Sequence, residues 1–178
     1  MRLRIGVALV LFSMVSVWPA FAQDATARRD ATRERLRQLL DSAGKRPDVS
    51  VEFRQSTKQP YNFVGLMKDR LANADALEIV ISVSAEDTIH FRVFPHYKGA
   101  YINIDRAQDT PGLVRKLLRF SDANFLYWGI DNSGDVFSGY NFTLESGFPD
   151  NAMIIVIRSV RPLDQYVGDL RPFIDGSR

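Results

Sequence analysis

A stretch rich in aromatic and branched residues, from Phe125 to Leu144, constrains the fold more than any other part of this sequence. Two apolar runs within it flank the turn-forming segment Asn132 to Asp135, which contains Gly134. Apolar runs on either side of a short glycine-containing turn are typical of a β-hairpin, because glycine readily adopts the positive φ that such turns need. The sequence therefore predicts a hairpin here, and with it an antiparallel sheet.

The predicted hairpin is apolar on both faces. With a two-residue loop, Tyr127 pairs with Tyr140, and Trp128 lies opposite Gly139. A sheet with one solvated face alternates apolar with polar residues, so this hairpin predicts helices on one face and a binding surface on the other. A three-residue turn would shift the pairing by one residue and redistribute the neighbours.

The second face of the predicted sheet is the candidate binding surface, because large aromatic side chains are common at the centres of interfaces. Its residues are Phe94, Tyr101, Leu126, Trp128, Ile130 and Phe137. We expect this face to bind a polypeptide client or a second copy of the chain, forming a homodimer. The sequence leaves open whether residues 23–59 or a helix cover the face instead.

The N-terminus has the pattern of a secretory signal peptide. Arg2 and Arg4 precede an uncharged apolar run, Ile5 to Val17, and a small-residue cleavage motif ends at Ala22. The run is shorter than the roughly 20 apolar residues that a membrane-spanning helix needs. We therefore predict cleavage after Ala22, a periplasmic or secreted protein, and no stable membrane insertion after cleavage.

Composition argues against several classes of function. The chain has no Cys, which excludes both disulfides and acylation on a cysteine. Its 23 basic residues outnumber its 21 acidic residues only by the two Arg of the signal peptide, so the remaining chain is close to neutral. We therefore predict no nucleic-acid binding. We interpret the one basic cluster, Arg28 to Arg37, as a solvated helix face rather than a site for an anionic surface.

Hydrophobic spacing predicts the elements before the hairpin. The spacing predicts a helix over residues 24–43 that ends at Gly44. A short edge strand and a polar segment follow this helix. Together these three elements form a predicted N-terminal helical extension, residues 23–59. A second helix is predicted over residues 62–72, with Asn62 as its cap. Three short strands follow, over residues 77–84, 89–94 and 100–105.

Two helical regions complete the prediction. Thr110 and Pro111 are a strong start for a helix over residues 111–120. Residues 150–173 predict two helical segments broken at Pro162, although residues 153–157 also have strand propensity. We therefore predict an α+β fold, in which helices 62–72, 111–120 and 150–173 pack on one face of a five-stranded antiparallel sheet.

The element order from residue 62 onward, helix-strand-strand-strand-helix-strand-strand-helix, resembles the fold of type III secretion chaperones. Three passages resemble the related YbjN family of bacterial sensory-transduction regulator proteins: Ile89 to Pro95, Leu113 to Leu118, and Asn124 to Asp131. The resemblance covers roughly the last two-thirds of the chain, which we assign to a YbjN-like domain, residues 60–178. It implies an α+β domain that binds polypeptide or self-associates, without known chemistry. Secretion chaperones are acidic and cytoplasmic, so secretion work is not assigned to this chain.

The sequence contains no recognisable catalytic or metal-binding motif. His90 and His96, without any Cys, do not supply a set of zinc ligands. The acidic turn from Asp131 to Asp135 resembles the start of a calcium loop, but the glycine and glutamate that such a loop requires are absent. We therefore predict a non-enzymatic envelope protein, chaperone- or adaptor-like, acting in sensing or regulation, with no metal and no cofactor. The alternative is a small envelope hydrolase or ligand-binding enzyme, whose site assembles in space beside His90.

Overall fold

The computed structural model describes residues 18–177, with side chains from residue 24 onward. The side chains of the predicted signal peptide, residues 1–22, lie outside the described residues. The described helices are α1 (Trp18–Gly44), α2 (Thr110–Ala123), α3 (Asp150–Arg158) and α4 (Leu163–Ile174). The described strands are β1 (Phe53–Gln55), β2 (Asn62–Met67), β3 (Ala76–Val83), β4 (Thr88–Tyr97), β5 (Ala100–Tyr101), β6 (Tyr127–Ile130) and β7 (Val136–Thr143).

The strands form one antiparallel sheet in the order β1-β2-β3-β4-β7-β6, and β5 pairs with the end of β4. The predicted α+β class and antiparallel sheet are therefore confirmed. The sheet has seven strands within the described residues, not the predicted five. The order of elements also differs from the prediction, because strand β2 takes the place of a predicted helix and five strands precede α2.

The predicted helix over residues 62–72 is wrong, because this segment forms strand β2. Phe63 and Met67 are buried against the core, and their spacing of four residues fits one face of a helix or of a strand equally well. Gly65 lies between them, and a Cβ atom there would stand only 2.6 Å from Val51. Two features favour the strand. The segment that contains Val51 approaches Gly65 closely, and β2 pairs with β3.

The helices after the first strands are present as predicted. α2 begins at Thr110, but Asp109 is its N-cap, since its carboxylate accepts the Gly112 N–H at 2.9 Å. α3 and α4 confirm two helical segments separated near Pro162. The third predicted strand is shorter than expected, because β5 gives way to a short 3₁₀ helix, Ile104–Arg106.

The helices pack against one face of the sheet, and α1 belongs to this layer. Leu36 and Leu40 of α1 are buried in the same cluster as Ile79 and Ile81 of β3. The boundary predicted between residues 59 and 60 falls in the connection from β1 to β2, which pair with each other. One core therefore continues from the N-terminal extension into the rest of the sheet.

Polar contacts also attach α1 to the sheet. Arg29 donates two hydrogen bonds to the Val83 carbonyl, at 3.0 and 2.7 Å, and its guanidinium lies 3.6 Å from the centre of the Tyr61 ring. The Tyr61 hydroxyl donates to Asp30 at 3.0 Å. α1 thus covers the core face, and the opposite face of the sheet bears a cleft lined only by strand and loop residues. We call this opposite side the outer face.

Candidate binding face

The outer face consists of the strand residues that point away from the core. Directly opposite residues on adjacent strands share a face, so the pairing places Arg92 of β4 between Val80 of β3 and Gly139 of β7. The same register gives its other members, which are Asn62, Val64, Leu66, Glu78, Ser82, His90, Phe94, His96, Tyr101, Tyr127, Phe137 and Asn141.

The β6–β7 hairpin differs by one residue from the pairing expected for a two-residue loop. Tyr127 pairs with Gly139 rather than Tyr140, and the Asp131 N–H donates to the Asp135 carbonyl at 2.9 Å. Three residues therefore form the loop, and Gly134 takes a φ of +79° within it. This is the one-residue shift that a three-residue turn produces, and it exchanges which side chains share a face.

The six residues of the predicted binding surface divide between the two faces. Phe94, Tyr101 and Phe137 lie on the outer face, as predicted. Leu126 and Trp128 are buried in the core cluster instead, which corrects their assignment. Ile130 shares the side of Trp128 by alternation, but it lies at the sheet edge and is 44% exposed.

Trp128 is a core residue because the register turns it toward α2 and α4. Its ring lies 5.5 Å from that of Phe120 and 5.9 Å from that of Tyr166. Its backbone N–H donates to the Ser121 hydroxyl at 2.7 Å. The space opposite Gly139, expected to hold the indole, is occupied by Tyr127, whose ring would lie 2.9 Å from a Cβ atom at this glycine.

An aromatic row crosses four strands of the outer face. Ring centres are 5.9 Å apart for Tyr101 and Phe94, 5.6 Å for Phe94 and Phe137, and 5.9 Å for Phe137 and Tyr127. Phe137 is only 5% exposed, because its neighbours in the row and Arg92 surround it, whereas Tyr101 is 36% exposed. The row presents rigid aromatic surface of the kind that dominates interface energetics.

A polar row runs parallel to the aromatic row. His90 Nδ1 lies 2.9 Å from Asn141 Oδ1, and Ser82 lies opposite His90 on β3. The serine hydroxyl makes no hydrogen bond to the imidazole among the described contacts. A nucleophile and its base must be within hydrogen-bonding reach, so this arrangement holds the imidazole in place without activating Ser82.

The acidic side chains that line the cleft already have partners. Glu78 accepts the Tyr101 hydroxyl at 2.8 Å, and Asp131 accepts two backbone N–H groups of its own turn at 2.9 and 3.0 Å. Asp135 accepts from the Asn103 amide at 2.8 Å. Burial, and then the hydrogen bond to Glu78, raise the pKa of Tyr101 to about 12, so its hydroxyl is a donor throughout the physiological range.

Arg92 differs from these acids, because its charge is unpaired. It lies in a cleft of about 470 Å³ on the outer face. Its Nε atom is buried without a hydrogen-bond partner, and the described residues provide no ion pair for its guanidinium. Its guanidinium makes a cation–π contact with Phe137, whose ring centre lies 4.5 Å from Cζ.

The basic cluster of α1 makes internal contacts and does not extend the outer face. Arg28 lies 3.8 Å from Asp87, Arg33 pairs with Asp30, and Arg35 pairs with Asp150. Arg37 forms ion pairs within α1 itself. These cations are therefore largely neutralised by the protein's own acids.

The described residues offer no sign of a metal site or a membrane span. Among them, no group of three or more His, Asp and Glu is arranged to hold a metal ion. None of the described helices is long and apolar enough to cross a membrane.

A scan of the sequence against models of protein families found no matching family, and a comparison with curated protein sequences found no significant relative.

Three of the six residues predicted for this surface lie on it, and most of its other members were not predicted. Tyr127 and Asn141 were missed because their faces depend on the hairpin register, which a one-residue change in the loop reverses. The alternation around His90, Arg92 and Phe94 was readable, since they occupy every second position of β4. What alternation could not show is that Arg92 has no acidic partner among residues 24–177, whose side chains the structure describes.

Proposed function

We propose that this protein is a non-enzymatic, chaperone- or adaptor-like module of the cell envelope that binds an extended segment of another polypeptide. The observation that supports this most is the outer face, where the aromatic row lies beside a cleft that contains Arg92. Among the described residues, Arg92 has no ion pair and no helix lines this cleft. The signal-peptide pattern supports a periplasmic or secreted location. The resemblance to the YbjN family supports a role in sensing or regulation.

The shape of the cleft favours a polypeptide over a small enclosed ligand. It is open to solvent and is lined by residues of β2, β3, β4, β5 and the β6–β7 turn, with three outer positions each from β3 and β4. Rigid aromatic anchors beside an arginine, surrounded by polar groups, are typical of protein interfaces. An extended chain supplies side chains at regular intervals that such a surface can take.

Binding is proposed on the face rather than at the edge formed by β6. The edge strand could in principle pair with an added strand. The Ser121 hydroxyl of α2 already accepts the Trp128 N–H in the middle of this edge. An edge protected in this way does not offer a continuous row of backbone groups.

A photo-crosslinking aromatic at Tyr101 tests the proposal. Tyr101 is on the outer face and is partly exposed. The matched control is the same group at Leu118 of α2, which is on the helical side and is 65% exposed. Both variants of the full precursor are expressed in the native host, irradiated, and their crosslinked products are identified by mass spectrometry.

We expect envelope polypeptides to crosslink from position 101 and not from position 118. Crosslinks between two copies of the chain from position 101 would assign the face to a homodimer instead. Absence of position-specific products, or equal capture from both positions, would contradict the proposed function.

One observation favours the enzymatic alternative, a small envelope hydrolase. His90 is held by Asn141, and Ser82 lies on its other side, which is the order of residues in a serine-based site. The missing hydrogen bond between Ser82 and His90 argues against the hydrolase.

Hydrolysis of p-nitrophenyl acetate by the wild type and by Ser82→Ala distinguishes the hydrolase from the proposed binding protein. We expect equal rates, and a loss confined to Ser82→Ala would support the hydrolase.

A further inference from the structure

We infer that the outer face selects polypeptides with an acidic residue. Arg92 binds the carboxylate of an Asp or Glu side chain, and the aromatic row takes an apolar or aromatic side chain two residues away. This inference rests on the proposed function and gives the bound segment its chemistry.

Arg92 has no partner for its charge among the described residues. Its buried Nε has no acceptor among the described residues, although a buried polar group without a partner is costly. A guanidinium presents its N–H groups in a planar fork that matches the two oxygens of a carboxylate. The ring of Phe137 lies against the guanidinium, with its centre 4.5 Å from Cζ, and adds a cation–π contact.

The acids of the cleft are already hydrogen-bonded. Each is held by donors of its own neighbourhood, the Tyr101 hydroxyl for Glu78 and backbone N–H groups for Asp131. They therefore do not supply the partner of Arg92. With Glu78, Asp131 and Asp135 around it, one arginine suits a singly charged carboxylate better than a doubly charged phosphate.

The spacing of side chains on β4 matches that of an extended peptide. Arg92 and Phe94 are two residues apart on β4 and point to the same face. An extended chain also repeats its side chains on one face every two residues, about 7 Å apart. A segment running along β4 thus places an acidic residue over Arg92 and the next residue on that face over Phe94.

Matched peptides test the inference. The first is acetyl-TFTDTFT-amide, which has one internal carboxylate and aromatic residues two positions away on both sides. The second, acetyl-TFTNTFT-amide, replaces only the carboxylate with an amide. The third, acetyl-TFDTTFT-amide, moves the acid by one position, to the other face of an extended chain. Affinities are measured by NMR titration of the mature protein, following the Arg Nε–H signals and the aromatic rings.

We expect the first peptide to bind the wild type about tenfold more tightly than the other two, since a charge-assisted hydrogen bond contributes roughly this factor. Arg92→Gln should bind all three peptides equally weakly. Arg92→Lys keeps the positive charge but lacks the planar guanidinium, so it should recover only part of the preference for the first peptide. Thermal unfolding of each variant shows that the fold is retained.

Equal affinities of the aspartate and asparagine peptides for the wild type would overturn the inference. So would a preference that persists in Arg92→Gln, because another group would then be responsible. Absence of binding at millimolar peptide would overturn it as well. The proposed function is judged separately by the crosslinks from Tyr101, so clients captured there without an acidic preference would leave that function standing.

Discussion

The carboxylate of Asp164 is the most densely hydrogen-bonded side chain of the core. It is 7% exposed and accepts the backbone N–H groups of Ala72, Asn73 and Ala74 at 2.7, 2.9 and 2.7 Å. It thereby fixes the connection between β2 and β3 against α4. In Asp164→Asn an N–H₂ group would face backbone donors, so we expect a loss of about 3 kcal/mol in the free energy of unfolding. Urea denaturation measures it.

Asp169→Asn is the matched control, because it makes the same change in the same helix. Asp169 is exposed and pairs with Lys116 at 3.0 Å. A surface ion pair of this kind contributes about 0–1 kcal/mol. Similar losses in the two variants would show that the buried carboxylate has no special role in holding the connection.

Tyr101 should titrate later than an ordinary tyrosine. Its pKa is raised to about 12 by burial and by the hydrogen bond to Glu78, above the usual 10.0. Since the folded state favours the neutral phenol, this contribution to stability is complete below pH 10 and is lost as the pH rises toward 12. The tyrosinate absorbance of the wild type minus that of Tyr101→Phe should titrate near pH 12.

Glu78→Gln tests the cause of that shift. It removes the negative charge but leaves the burial, so the pKa of Tyr101 should fall part of the way toward its usual value. Far-UV circular dichroism at each pH shows whether the fold persists. A Tyr101 difference signal that titrates near pH 10 in the wild type would contradict the expected environment.

At the scale of the elements, α1 should be part of the folding unit rather than a dispensable extension. Leu40 is buried between α1 and the sheet. Leu40→Ala removes this contact and leaves a cavity, so we expect a loss of about 3 kcal/mol in the free energy of unfolding. Leu118→Ala in α2 is the control, because Leu118 is exposed and should change stability by less than about 0.5 kcal/mol. Equal effects would mean that α1 does not pack on the core in solution.

The elements that could be predicted from sequence are those in which the end signals and the hydrophobic spacing indicate the same structure. α2 has a strong start at Thr110 and Pro111 and one apolar face, and β3 and β4 have clear alternation. β2 was not predictable in this way, because Phe63 and Met67 satisfy both periodicities and only the partner strands decide between them. Tertiary pairing there overrides the local pattern.

The candidate site depended on an element boundary that sequence leaves undetermined. A loop of two or three residues in the β6–β7 hairpin reverses the faces of Trp128 and Tyr127. The faces of the β4 residues do not depend on this loop, since β4 alternates strictly between buried and partly buried positions along most of its length. Phe94 was therefore placed correctly, whereas Trp128 was not.

At the scale of the whole molecule, the sheet has one face that packs on the helices and an outer face that we propose for binding. Val83 and Val80, both on β3, represent the two faces with the same residue type. Val83 is buried in the core cluster, and Val80 lies beside Arg92 in the outer cleft. Replacing valine with threonine keeps the shape but adds a hydroxyl.

The two valines should therefore respond differently to the same change. Val83→Thr buries a hydroxyl in an apolar core, so we expect a loss of about 2 kcal/mol in the free energy of unfolding. Val80→Thr should change it by less than about 0.5 kcal/mol, because its side chain is only partly buried. Urea denaturation at two protein concentrations measures both values. A large, concentration-dependent loss in Val80→Thr would show that a second copy covers the outer face, and the binding surface would then be a dimer interface.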